Sequence, residues 1–195
     1  MNQIKHFKLE PLKDAKFIKS SLARYEQNGV KKSWEVIDVH DSVAILLYHK
    51  EKEAFVLVKQ FRPAVYLNNQ NGLTIELCAG IVDKDTSLLQ IAKEEIEEEC
   101  GYDVALEDII KITSIYSSVG FAGAKQTLYY ASINESMKVS EGGGIDDEEI
   151  EVITLPLDEV KTFMYDESIA KTTGIMFAFM WWFEHKYVGS ILSNK

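Results

Sequence analysis

Hydrophobic and polar positions divide the chain into a run of short strands interrupted and closed by helices. Residues 33–40 alternate through Trp34, Val36 and, less cleanly, Asp38, whereas 43–48 and 55–61 are apolar runs rich in β-branched and aromatic side chains. Both patterns predict strands. Segments 73–77, 110–116, 127–133 and 150–155 continue the series. Between them stand Asn28-Gly29, the stretch from Asn68 to Gly72, and Gly142-Gly143-Gly144, residue types that mark turns. Residues 87–100, 157–163 and 167–187 predict helices, the last with an aromatic-rich face. Strands, a helix, more strands and closing helices predict an α/β fold, a mixed sheet covered by helices. The chain is expected to form a single domain over residues 1–195, with about the first 45 residues in a smaller N-terminal sheet.

The helix predicted over 87–100 carries unusual chemistry. Ser87-Leu88-Leu89-Gln90 has the pattern of a capping box, and Gly101 stands where a C-terminal cap is expected. At about 100° per residue, Leu88, Ala92, Ile96 and Cys100 form one apolar stripe. Glu95 and Glu99 flank that stripe, Glu98 lies further round the same side, and Glu94 and Glu97 face solvent. Glu94/Glu98 and Glu95/Glu99 are like-charge pairs four residues apart, each unfavourable by roughly 0.2–0.5 kcal/mol. They also crowd the helix end that prefers cations. A solvated acidic face is the plain alternative. Carboxylates beside a buried stripe, however, lose solvent and need a counter-charge, which a hard, oxygen-binding cation such as Mg²⁺ supplies.

Composition narrows the classes. The chain has 195 residues, 46% hydrophobic and 27% charged, enough for one substantial core. A net charge of −10 argues against general affinity for nucleic acid. An acidic protein with an anionic ligand needs local compensation, for which a divalent cation is the obvious device. Two cysteines, Cys78 and Cys100, form no CxxC pair and read as thiols in a reducing compartment. The N-terminus lacks the apolar core of a signal peptide, and the apolar stretch 175–183 is too short to span a bilayer. The expectation is a cytoplasmic protein without a membrane partner.

The stretch Ala79-Gly80-Ile81-Val82-Asp83, followed by Glu95-Ile96-Glu97-Glu98-Glu99-Cys100-Gly101-Tyr102, resembles the Nudix box, G-x5-E-x7-R-E-U-x-E-E-x-G-U. Gly80, Glu95, Glu98, Glu99 and Gly101 fall in register, and a match this long is far more specific than a lone glycine motif. Two positions depart. Thr86 stands at the first Glu, and Glu94 stands at the Arg that orients the carboxylates, so Lys93 or a more distant cation would have to replace it. Beyond the box, Lys32-Ser33-Trp34-Glu35, His40 to Val43, Val56 to Tyr66, Glu76 to Gly80, Gly120, Gly123, Gln126-Thr127, the Gly142 to Gly144 loop with Glu148 and Ile150 to Val152 behind it, and Lys171-Thr172 are similar to the UDP-glucose diphosphatase branch, close kin of the ADP-ribose diphosphatases.

The resemblance implies a Nudix α/β/α sandwich around a mixed sheet with an N-terminal antiparallel sheet, and a homodimer built partly through the strands of residues 1–40. It implies hydrolysis of a nucleoside diphosphate sugar with Mg²⁺, or Mn²⁺, as cofactor: UDP-glucose to UMP and glucose 1-phosphate, or ADP-ribose to AMP and ribose 5-phosphate. Glu95, Glu98, Glu99 and the Ala79 carbonyl become the metal ligands, and Gly80 allows close backbone approach. Glu98 and Glu148 become the catalytic carboxylates, with Asp146 the second choice in the loop. Trp34 becomes a base-stacking residue, Arg62 a diphosphate contact and Glu76 a support for the metal loop. Without the resemblance, Trp34 reads as core or interface, Arg62 as a surface ion pair and the Glu148 loop as a surface turn. The competing class is a non-catalytic Nudix-fold module that binds cations or a partner, and Glu94 is the residue that favours it.

Overall fold

The computed structural model describes residues 4–145 and 147–187. It begins with an antiparallel ribbon of β1 (Ile18–Gln27) and β2 (Val30–Val39), paired from Ile18↔Val39 to Gln27↔Val30. Asn28 and Gly29 make the turn at φ 56° and 79°, the two positive values that match a tight hairpin to the strand twist. The ribbon forms its own sheet and leaves Leu22, Tyr25, Val30 and Trp34 exposed. It is tied to the rest by Ile37 N donating to Phe121 O (2.7 Å) and Trp34 Nε1 donating to Gly120 O (2.6 Å).

The larger sheet has eight strands: β3 (Ser42–His49), β4 (Ala54–Phe61), β5 (Leu73–Glu76), β6 (Cys78–Ile81), β7 (Ile110–Tyr116), β8 (Lys125–Ile133), β9 (Glu151–Pro156) and β10 (Ala170–Lys171). The order runs β10-β5-β4-β3-β8-β7, with β6 also pairing β3 and β9 pairing β4. The pairs β3–β8 and β5–β10 are parallel and the remainder antiparallel, so the sheet is mixed as expected. Helices α1 (Pro63–Asn69), α2 (Leu88–Cys100), α3 (Val160–Tyr165) and α4 (Thr173–Trp182) complete the fold, and a π-helical turn, Phe183–Tyr187, extends α4.

Strand β3 shows why the central apolar runs do not alternate. Val43, Ile45 and Leu47 pack with Ile91, Ala92 and Ile96 of α2 on one side. Ala44 and Leu46 pack with Ile175, Phe179 and Trp182 of α4 on the other. A strand covered on both faces is apolar at every position. The result is the expected α/β/α sandwich.

Several boundaries differ from those the pattern predicts. The strand expected over 73–77 is β5, which ends at Glu76 opposite Val58; a further strand that the pattern does not predict, β6, starts at Cys78, where the chain changes partner and pairs with Ile45. The helix expected over 167–187 starts only at Thr173: Ala170 and Lys171 pair with Thr74 and Ile75, and the Thr172 hydroxyl then accepts from Ile175 N (3.4 Å) as an N-cap. Helix α1 was not foreseen, although Pro63 in its first turn and Gln70 at φ 59° past its end are ordinary start and stop signals.

Candidate metal and diphosphate site

Helix α2 is held at both ends by the residues its sequence offers. Ser87 Oγ accepts from Gln90 N (3.1 Å), but Gln90 does not close the box; its amide donates to Glu94 Oε1 (3.1 Å). Gly101 ends the helix at φ 78°, and a Cβ there would lie 2.2 Å from Ser140 O. The buried face comprises Ile91, Ala92, Ile96, Glu99 and Cys100, so one carboxylate sits among apolar side chains.

That carboxylate is Glu99, 4% exposed, with Oε2 accepting from Ala79 N at 2.9 Å. Burial pushes its pKa up to about 8; the Ala79 bond opposes the shift and repulsion from Glu95 adds to it. Glu95 is half-buried, and burial followed by repulsion from Glu98 and Glu148 raises it to about 7. Gly80 makes room for Glu95: a Cβ on Gly80 would stand 1.8 Å from Glu95 Oε1 and 2.7 Å from its Cγ. The strand β6 that carries Ala79 and Gly80 is therefore in direct contact with both carboxylates.

Glu98 and Glu148 approach from two further sides. Glu98 lines a shallow hollow with Glu94, Glu97, Ser140, Gly142 and Gly144. Its charge is the largest contribution to the Glu95 shift after burial. The glycine loop is fastened to the end of α2: Gly143 N donates to Glu99 O (2.9 Å) and Gly144 N to Glu98 O (3.1 Å). All three glycines have positive φ, and a Cβ on Gly142 would meet Glu99 O at 2.3 Å. This docking delivers Glu148, whose Oε2 accepts from Ile145 N (3.1 Å), close enough to raise both Glu95 and Glu99. Asp146 lies outside the described residues.

Arg62 and Glu76 meet each other. Arg62 Nε and Nη2 donate to the two Glu76 oxygens at 2.8 and 2.9 Å, and Thr74 Oγ1 donates to Glu76 Oε1 at 2.5 Å. Burial alone would raise the Glu76 carboxyl, but the Arg62 fork and Thr74 bring it below its ordinary value. Bonding to Glu76 raises the Arg62 guanidinium, and Glu99 and Glu148 reinforce it. Arg62 thus stands at the border of the acidic cluster. Its side chain is 45% exposed.

The cation facing Glu94 is Lys84, a residue the sequence reading did not single out. Lys84 Nζ lies 2.8 Å from Glu94 Oε2 and also lowers the Glu95 pKa. Lys93 turns away, donating to Asp103 and, at 2.9 Å, to Val104 O. Trp34 is 57% exposed and shares a hollow with Val36, Tyr116, Val119 and Phe121, none of them acidic. Within one chain the Trp34 hollow and the carboxylates have no lining residue in common.

Two other features compete for attention. His49, Glu51 and Glu135 bring one ligand atom each within 4.8 Å of one another. His49 Nδ1, however, faces Lys52 N (3.3 Å), its Nε2 faces Glu135 (3.3 Å), and Lys52 Nζ is 3.0 Å from the same Glu135 oxygen. A histidine with both nitrogens engaged, beside a lysine, is an ion-pair network rather than an open cation site. A cavity of about 760 Å³ by α3 and α4 is lined in part by Met164, Tyr165, Met180 and Phe183 and by none of the α2 carboxylates.

The sequence pattern of the NUDIX domain matches residues 38–173. The chain is 40% identical to a uridine diphosphate glucose pyrophosphatase of Bos taurus, a match covering 82% of this chain and 85% of the relative. It is 36% identical to the protein of that name from Mus musculus, with 86% and 88% covered. It is also 42% identical to a GDP-mannose pyrophosphatase of Salmonella typhimurium, with 69% and 70% covered.

Proposed function

This chain belongs to the Nudix family, and on that premise we propose that it is a metal-dependent hydrolase cleaving the diphosphate bond of a nucleoside diphosphate sugar. The reaction adds water across the bond and releases a nucleoside monophosphate and a sugar phosphate: UMP and glucose 1-phosphate from UDP-glucose, or AMP and ribose 5-phosphate from ADP-ribose. The pyrophosphatase names of the relatives, one group acting on UDP-glucose and another on GDP-mannose, favour this reading over a non-catalytic module.

One observation carries the metal: Glu95 and Glu99 are forced toward neutrality by burial and by neighbouring carboxylates, yet both stand on α2 against β6, where Ala79 N holds Glu99. Carboxylate and carbonyl oxygens are the donor set of a hard divalent cation, Mg²⁺ or Mn²⁺. Glu95, Glu98, Glu99 and Ala79 would hold it. When bound, such an ion neutralises charge developing on the transferring phosphoryl oxygens. Glu148, or Glu98, takes the proton of the attacking water. Arg62, kept rigid by Glu76, orients the diphosphate. The exposed apolar ribbon supports a homodimer formed through β1 and β2, a two-stranded ribbon being marginal alone. Residues 1–195 then form one domain in the cytoplasm. No helix among the described residues is long and apolar enough to cross a membrane. Incubating the protein with Mg²⁺ and a panel of nucleoside diphosphate sugars, with products identified, tests the activity. Absence of any nucleoside monophosphate would refute it.

The two raised pKa values fix how stability should vary with pH. Both lie above the ordinary 4.5, so the metal-free fold favours the protonated carboxyls. Their contribution is present near pH 4.5 and is lost as pH rises through 7 and 8. Melting in EDTA should therefore fall between pH 6 and 8.5, and the gain from Mg²⁺ should grow over the same window. A cation at 100 times its Kd adds about 2.7 kcal/mol, roughly 5–10 °C for a chain of this size. Identical midpoints with EDTA and millimolar Mg²⁺ at pH 8.5 would contradict the metal site.

Trp34→Ala should raise KM with little change in kcat, provided the ring binds the base equally in ground and transition states. Lost stacking of about 1–3 kcal/mol is the expected size. An unchanged KM in a variant that still dimerises would leave Trp34 a structural residue.

A further inference from the structure

Beside the acidic cluster lies a second hollow that the diphosphatase chemistry leaves unexplained. It has a volume of about 620 Å³, and its lining includes Lys59, Gln60, Phe61, Tyr66, Asn71 and Glu148. The hollow and the cluster share the glycine loop: Gly143 also lines the hollow and donates through its N to Glu99 O (2.9 Å), and Glu148 adds to the repulsion on Glu95 and Glu99. Whatever fills the hollow therefore adjoins the bond being cut.

The lining tells against two of the three parts of the substrate. Lys59 Nζ is matched with Glu151 at 2.8 Å, and Glu148 is itself an acid, so the hollow has no spare cation for a phosphate. Its rings are turned on each other: Phe7 and Tyr66 lie 4.8 Å apart at 54°, and Phe61 and Tyr66 5.5 Å apart at 57°. Tilted rings that cover one another give a base no open parallel platform. What remains free is amide chemistry. Gln60 pairs with Thr74 in the β4–β5 ladder and Asn71 N donates to Asn69 Oδ1 (2.9 Å), both through backbone atoms. Each side-chain amide keeps donors and an acceptor for the ligand, and adjacent hydroxyls, which both donate and accept, are its natural complement.

We propose that this hollow is the sugar subsite, and that the Gln60 and Asn71 amides select a hexose through its hydroxyl groups. The inference rests on the diphosphatase reading for its substrate and adds where the sugar lies and what reads it. Asn71 is exposed on the turn after α1, and Gln60 lies between the ladder residues Lys59 and Phe61. Trimming either side chain leaves the backbone pairing intact.

The experiment compares kcat/KM for UDP-glucose, UDP-xylose and ADP-glucose in the parent, Gln60→Ala and Asn71→Ala. UDP-xylose lacks the hydroxymethyl group, and ADP-glucose changes only the base. Each variant should lose about tenfold on UDP-glucose, narrow the glucose-to-xylose ratio and leave the uridine-to-adenosine ratio as in the parent. A shift in the base ratio with the sugar ratio constant would make the hollow a base site and overturn the proposal, as would two unchanged ratios. Calorimetric binding of glucose 1-phosphate separates this inference from the one beneath it. If the parent cleaves no nucleoside diphosphate sugar, the diphosphatase reading fails. The subsite then stands only if the parent binds glucose 1-phosphate about tenfold tighter than both variants, and it falls if the three bind alike or not at all.

Discussion

Glu99→Gln should abolish most turnover while leaving the fold at least as stable. The substitution keeps the volume and lets the side-chain oxygen still accept from Ala79 N, but removes the charge that would hold the proposed cation. On the proposed metal mechanism, transition-state stabilisation of several kcal/mol would depend on that ion, and about 1.4 kcal/mol is a factor of ten, so a loss of roughly a thousandfold or more is expected. Stability should move the other way. Glu99 is buried with its carboxyl pushed up to about 8, so the parent in EDTA loses stability as pH rises through that value and the Gln variant escapes this part of the loss. The variant also relieves the Glu95/Glu99 repulsion four residues apart. At pH 8.5 in EDTA it should melt above the parent, and the Mg²⁺ gain should shrink. Turnover close to that of the parent would remove α2 as the catalytic metal platform.

Gly80→Ala is expected to have the second largest effect, and to separate function from stability. The added Cβ would meet Glu95 Oε1 at 1.8 Å, Cδ at 2.1 Å and Cγ at 2.7 Å. No backbone atom is among these nearest neighbours, so a turn of the Glu95 side chain relieves the clash and β6 can keep its pairing with Val43 and Ala44 of β3. The carboxylate then leaves its place beside Gly80 and Glu99. Activity should fall by about 10²–10³-fold, as when a positioned catalytic group moves by an ångström or more. The melting temperature in EDTA should change by no more than a few degrees, about 1 kcal/mol in a chain of this size. A large drop in melting with activity preserved per folded molecule would mean that Gly80 serves packing instead.

The Glu94–Lys84 pair bears on the departure from the box. The residue in the Arg position is an acid, but it grips a lysine from the loop before the helix, and that lysine lowers Glu95. Positive charge therefore reaches the carboxylates from the chain's other direction. Spacing within the helix directs attention to Lys93, which is engaged with Asp103 and Val104. Lys84 was visible only as one more charge in a turn.

What the sequence by itself determined was local and periodic. The span of α2 follows from the apolar stripe, the Ser87 cap and Gly101, all of which act within a few residues. The two-sided burial of β3 follows from its unbroken apolar run, and the Asn28-Gly29 hairpin from the need for two positive φ angles. The converging carboxylates were legible because a helix fixes where positions 95, 98 and 99 point once its apolar face is known. The tertiary structure alone decided the contacts between segments distant in sequence. The Arg62–Glu76 fork joins β5 to the residue following β4, and the glycine loop that brings Glu148 is fastened to α2 by backbone bonds that no side-chain pattern encodes. The helix expected at 167–172 gave way because Ala170 and Lys171 found partners at the edge of β5. Periodicity reports which face of a segment is buried; the partner across that face depends on how the layers stack, and so on the whole chain at once.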